Sequence, residues 1–102
     1  MKRASLLIGL LLLTGCTIET QGEKLTRDDL IDIAFVSTVK EEVDLWLNFD
    51  EIVTMGRKTC ETENLFVAMK EVEKNGISEY DASYIVGAAW QAYCPDHADR
   101  YR

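Results

Sequence analysis

The sequence predicts an all-α domain, a small bundle of about four helices. Three observations predict it. Apolar residues recur at spacings of three and four in four segments of the chain. Residues that cap helix N-termini open three of those segments. Windows of β-branched and aromatic residues with period-two alternation are absent, so the local signals agree on helix. The length, 102 residues, allows one domain, and a hydrophobic share of 47% excludes a disordered composition.

The first helix opens at Thr26-Arg27-Asp28-Asp29, an N-cap followed by acid at the third helical position. Its expected apolar stripe is Leu30, Ile33 and Ala34 with Phe35 or Val36, and it should end between Val39 and Val43. Asn48-Phe49-Asp50-Glu51 repeats the capping pattern and opens a helix with Phe49, Ile52, Val53, Gly56 and Cys60 on one face. A third helix carries Leu65, Ala68, Met69 and Val72, and Asn75-Gly76 stops it, because glycine tolerates a left-handed C-cap. Ser78-Glu79-Tyr80-Asp81 caps the fourth, which Pro95 should end. That helix is apolar or small throughout residues 85–89, with Trp90, Ala92 and Tyr93 following. Such a helix is expected at the centre, with Gly87, Ala88 and Ala89 allowing close approach of its neighbours.

The N-terminal region reads as an address. Lys2 and Arg3 precede a Leu-rich apolar run over residues 4–13. That run is about half of the ~20 residues a membrane-spanning helix needs, and its basic flank fits the h-region of an export signal. It ends in Leu13-Thr14-Gly15-Cys16, which resembles the bacterial lipobox; an A-x-A-like cleavage site, which an ordinary secretory signal would show, is absent. The expected organisation is a lipoprotein signal peptide over 1–15, an acylated Cys16 with a polar tether over 16–25, and a helical domain over 26–102. Two or more acyl chains on Cys16 would hold the protein stably on a membrane. The expected place is the extracytoplasmic face of the cell membrane.

The charge balance narrows the partners. Eighteen Asp and Glu against eleven Lys and Arg give a net charge of −7, and −9 once Lys2 and Arg3 are removed. Nucleic acid is disfavoured, since phosphate binding needs clustered basic residues. Asp28, Asp29 and Asp32 fall in the first turns of the first helix, where negative charge complements the helix dipole. Lys70 and Lys74 read as a solvated face, and His97, beyond the last helix, as a surface residue. Trp90 and Tyr93 have core spacing, with a ligand-binding role as the alternative. No calcium loop, nucleophile–base pair or metal-ligand set is recognisable, so neither a cofactor nor catalysis is expected. Glu41, Glu42 and Asp44 lie beside Leu45, Trp46 and Leu47. An apolar triplet with an acidic rim suits partner docking, because Trp is enriched in binding hot spots. The alternative is that Trp46 folds back onto the core.

Beyond Cys16, two cysteines remain, Cys60 and Cys94, an even number for an oxidising compartment. A disulfide between them is the expected arrangement. A zinc site would need more ligands than His97 supplies, and neither cysteine has the C-x-x-C partner of a redox thiol.

Met55-Gly56-Arg57-Lys58-Thr59-Cys60, followed by the Ala-rich run from Ile85 to Tyr93-Cys94-Pro95, resembles the small secreted mycobacterial and actinobacterial proteins of domain-of-unknown-function family 732. Members carry a Gly-Arg/Lys-x-x-Cys segment in one helix and close an apolar helix with Tyr-Cys-Pro. The resemblance implies a small exported helical domain with one disulfide, and no activity. Members are typically richer in alanine than this chain, which has 8. The function expected is a non-catalytic, envelope-anchored module that binds an envelope protein or cell-wall component. The second expectation is a phage- or plasmid-borne lipoprotein acting in superinfection exclusion or immunity at the host surface.

Overall fold

Each long helix begins where a polar side chain takes up an otherwise unpaired backbone N–H. The computed structural model describes residues 25–100; the signal segment, Cys16 and nearly all of the tether lie outside the described residues. Five α-helices follow one another there: α1 (Arg27–Glu42), α2 (Phe49–Lys58), α3 (Leu65–Glu73), α4 (Glu79–Tyr93) and α5 (Pro95–Asp99), with a 3-10 turn at Thr59–Glu61. The described residues contain no strand. The fold is the all-α bundle the sequence predicts.

Thr26 and Asn48 form complete capping boxes. The Thr26 hydroxyl accepts from the Asp29 N–H at 3.1 Å, and the Thr26 N–H donates to the Asp29 carboxylate at 3.0 Å. Asn48 and Glu51 make the same reciprocal pair at 2.8 and 2.9 Å. Asn64 and Ser78 cap α3 and α4 through single bonds of 3.1 Å. A cap of this kind contributes about 1 kcal/mol. At the other end of α3, Gly76 has φ 80°, the left-handed conformation that closes a helix.

α4 is the central helix and packs against α1, α2, α3 and α5. Its Ala82, Ile85, Val86, Ala89 and Trp90 are buried and meet Phe35, Val36 and Val39 of α1, Ile52 and Met55 of α2, and Ala68 and Val72 of α3. Burying a side chain such as Ile or Val contributes roughly 1.5–3 kcal/mol, so this shared seam dominates the stability.

Several expectations need correction. The inward face of α1 is Asp32, Phe35, Val36 and Val39, whereas Leu30, Ile33 and Ala34 are exposed. Residues 30–36 hold apolar side chains on two opposite faces, and one helix can turn only one of them to the core. Phe49 likewise lies exposed at the first turn of α2, and Met55 takes the core position. Gly56, not Gly87, marks the close approach. A Cβ on Gly56 would lie 2.5 Å from the Phe35 ring, while one on Gly87 would meet nothing within 4 Å. Pro95 ends α4 and also starts α5, since its missing N–H would be unsatisfied in a first helical turn anyway. That short helix brings His97 back against Trp90 with ring centroids 5.3 Å apart, so His97 is half-buried rather than a surface residue.

Candidate functional site

The two cysteine-bearing segments meet at one end of the bundle. Cys60, in the 3-10 turn after α2, is bonded to Cys94 at the end of α4, with Cα atoms 6.0 Å apart. Around this bridge the two segments interlock. The Thr59 carbonyl accepts from Trp90 Nε1 at 3.0 Å, and the buried Thr59 hydroxyl donates to the Gly56 carbonyl at 2.6 Å. Three residues before Cys60, Arg57 places one guanidinium nitrogen 2.9 and 3.1 Å from the two carboxylate oxygens of Asp32. Next to Cys94, the Tyr93 hydroxyl donates to the same Asp32 at 2.6 Å. Arg57 also lies over the Tyr93 ring at 5.0 Å, and Phe35 meets that ring edge-on at 5.3 Å.

The electrostatics of this cluster are those of groups that keep their protons. Burial, and then the hydrogen bond to Asp32, push the Tyr93 phenol well above its usual range. The hydrogen bond to Asp32 raises Arg57, against a smaller opposing effect of desolvation. A phenol so raised neither attacks nor takes a proton at neutral pH. What the cluster does physically is fasten α1 to α2 and α4 through one carboxylate. A shallow cavity of about 310 Å³ lies over it, lined by Asp28, Ile31, Arg57, Cys60, Ala92 and Tyr93.

The sequence profile of the family described as "Protein of unknown function (DUF732)" matches residues 28–96. The chain belongs to the DUF732 family. The match runs from the first turn of α1 to the start of α5, so it spans the cluster and the disulfide together. Comparison with curated proteins and with solved structures returned no match. In this DUF732 chain the Gly-Arg-x-x-Cys and Tyr-Cys-Pro segments are thus two halves of one interlocked end of the bundle.

The docking triplet is divided by the fold. Leu47 is buried and belongs to the core, which corrects its reading as a contact residue, and Leu45 is half-buried against the core. Trp46 is 76% exposed, so it does not fold back. Buried Val43 and Leu47 pin the loop on both sides, and the Asn48 capping box fixes where α2 begins. Trp46 is therefore held outward on a short, anchored loop. Glu41, Glu42, Asp44 and Asp50 flank it and are exposed, and residues 41–56 hold no Lys or Arg.

Elsewhere, Lys70 and Lys74 bond Glu73 and Glu71 at 3.5 and 3.3 Å on the surface of α3, as a solvated face would. Among the described residues no group of three His, Cys, Asp or Glu could hold a metal ion, and no helix is long and apolar enough to cross a membrane.

Asp32 is the member of the cluster that sequence reasoning assigned elsewhere, to dipole compensation. Arg57 and Tyr93 were within reach. Once Cys60 and Cys94 are paired, residues three before one and next to the other must lie close together.

Proposed function

We propose that this DUF732 protein is a non-catalytic binding domain, anchored by lipid at Cys16 to the outer face of the cell membrane, that docks an envelope component through Trp46. The observation that carries the reading is the exposure of Trp46 on a loop pinned at both ends. An indole buries 150–250 Å² when it is covered, and leaving it in water forgoes that gain. A loop that holds it outward is already ordered for docking, so binding costs little conformational entropy. The exposed carboxylates beside it favour a partner with a basic surface. Confinement to a membrane raises the effective concentration toward other envelope molecules, so a weak contact suffices.

The experiment is in-envelope crosslinking of the full chain, with Cys16→Ala and Trp46→Ala as variants. Cys16→Ala should abolish fatty-acid labelling and release the protein from membranes. Trp46→Ala should stay at the membrane, lose its crosslinks and melt within about 1–2 °C of the parent, as a surface substitution does. Crosslinks at full strength in Trp46→Ala would remove this loop from the docking site. Unchanged labelling in Cys16→Ala would remove the anchor.

A further inference from the structure

The charges of this domain are unevenly spread. In a chain with 28% charged residues, α4 carries none from Ala82 to Tyr93. α1 carries one between Leu30 and Val39, and that residue, Asp32, is turned inward onto Arg57 and Tyr93. Over these spans the outer side of the two neighbouring helices carries no charge, and the charged residues Arg27, Glu41, Glu79 and Asp81 stand only at their ends. A groove of about 550 Å³ runs between them, lined among others by Ala34, Thr38, Ser83, Tyr84, Gly87 and Ala88. Its floor is small side chains, and the space above Gly87 is open. Beside it on α1, one turn before Ala34, Leu30 is 54% exposed. The pattern is that of a helix pair with a second interface, since a helix apolar nearly all round is normally covered on every side.

We infer that this face pairs with the same face of a second copy of the chain. Charge selects the occupant. Each copy carries −7, or −9 once Lys2 and Arg3 are removed, so two copies repel wherever carboxylates face each other. The α1–α4 face is where they meet without that opposition. A basic partner, by contrast, finds its complement at the acidic loop around Trp46 and gains nothing from an uncharged groove. Shape agrees. A two-fold axis over the groove makes the contact self-complementary: the exposed Leu30 of each copy enters the space above the other's Gly87, a knob meeting a hole. The face offers fewer side chains than the roughly 20–30 a side of a stable standard interface, so the pairing is weak in free solution. Two chains held on one membrane meet at far higher effective concentration, and there it forms.

The test uses the full chain in membranes with one added thiol, Ser37→Cys on the exposed side of α1, and a short bis-maleimide. The expected product is a band at twice the chain mass. Thr54→Cys, on the exposed side of α2, should give about tenfold less. Adding Gly87→Glu to Ser37→Cys should lower the yield by about tenfold or more, because it fills the space that the other copy's Leu30 enters and buries an unpaired carboxylate in the seam. The open space above Gly87 lets that side chain be accepted, and a thermal melt checks it. Should Gly87→Glu not fold, Leu30→Asp at an exposed position makes the same test. Absence of the double-mass band, a product of another mass, or an undiminished yield in the folded charge variant overturns the inference. Trp46→Ala should leave the double-mass band unchanged, so failure here and failure of the Trp46 docking loop are told apart.

Discussion

Replacing Gly56 and Gly87 by alanine should move the stability of this domain in opposite directions. Both residues lie inside helices, where exchanging glycine for alanine gains about 0.8–1 kcal/mol in propensity. At Gly87 nothing lies within 4 Å of the new methyl, so the gain stands alone. The melting temperature should rise by about 4–8 °C, the shift that 1 kcal/mol gives in a domain of this size. At Gly56 the methyl would lie 2.5 and 2.6 Å from two atoms of the Phe35 ring. That ring is buried and set edge-on against Tyr93, so it has to be displaced. Overpacking of this kind costs about 1–3 kcal/mol, which exceeds the propensity gain by about 1 kcal/mol at mid-range. Gly56→Ala should therefore melt about 4–8 °C below the parent. The assay is thermal unfolding followed by circular dichroism. In a Phe35→Leu background the clash is gone, and Gly56→Ala should become stabilising there, the coupling expected of residues in contact. If Gly56→Ala stabilises the parent as much as Gly87→Ala does, the ring yields freely and the close-packing argument fails.

Two further outcomes are expected. The Cys60–Cys94 bridge spans 34 residues, which in the chain-entropy model is worth about 4 kcal/mol; Cys94→Ser should lower the melting temperature by more than 10 °C, about 2–5 kcal/mol being the usual loss for a small exported domain, and non-reducing peptide mapping of the parent should recover the linked pair. Tyr93 holds its proton more tightly folded than unfolded, so its contribution is complete below about pH 10, where the unfolded phenol titrates, and is lost as pH rises beyond that. Tyr93→Phe should thus be less stable at neutral pH and lose less on going to alkaline pH; parallel slopes for the two proteins above pH 10 would refute the assignment.

How far the sequence carries can be judged residue by residue. Thr26, Asn48 and Ser78 announce their helices because a cap is a local device, built from residues three apart. The burial of α4 was legible because nearly every side of it is apolar. The inner face of α1 was not, because Leu30, Ile33 and Ala34 match a helical stripe as well as Phe35, Val36 and Val39 do. Only the position of α4 chooses between them. Asp32 meets residues 25 and 61 positions away, and no local pattern encodes such distances. The outward turn of Trp46 and the inward turn of Leu47 follow from how the α1–α2 connection is pinned at Val43 and Leu47. A run of three apolar residues in sequence leaves that choice open.

The disulfide also divides the chain by its tolerance of proteolysis. Residues 61–93 lie within the ring that Cys60 and Cys94 close, and α1 and α2 lie outside it. A protease that cuts at the turn around Gly76 leaves two pieces still joined by the bridge. Their helices stay side by side, reassociation is intramolecular, and the nicked domain holds together. A cut beside Trp46 has no such safeguard. It frees α1 as a separate peptide and removes Phe35, Val36 and Val39 from the core. The loop that holds its indole outward is therefore also where a single hydrolytic event is least forgiven, and the proposed partner would shield it on binding.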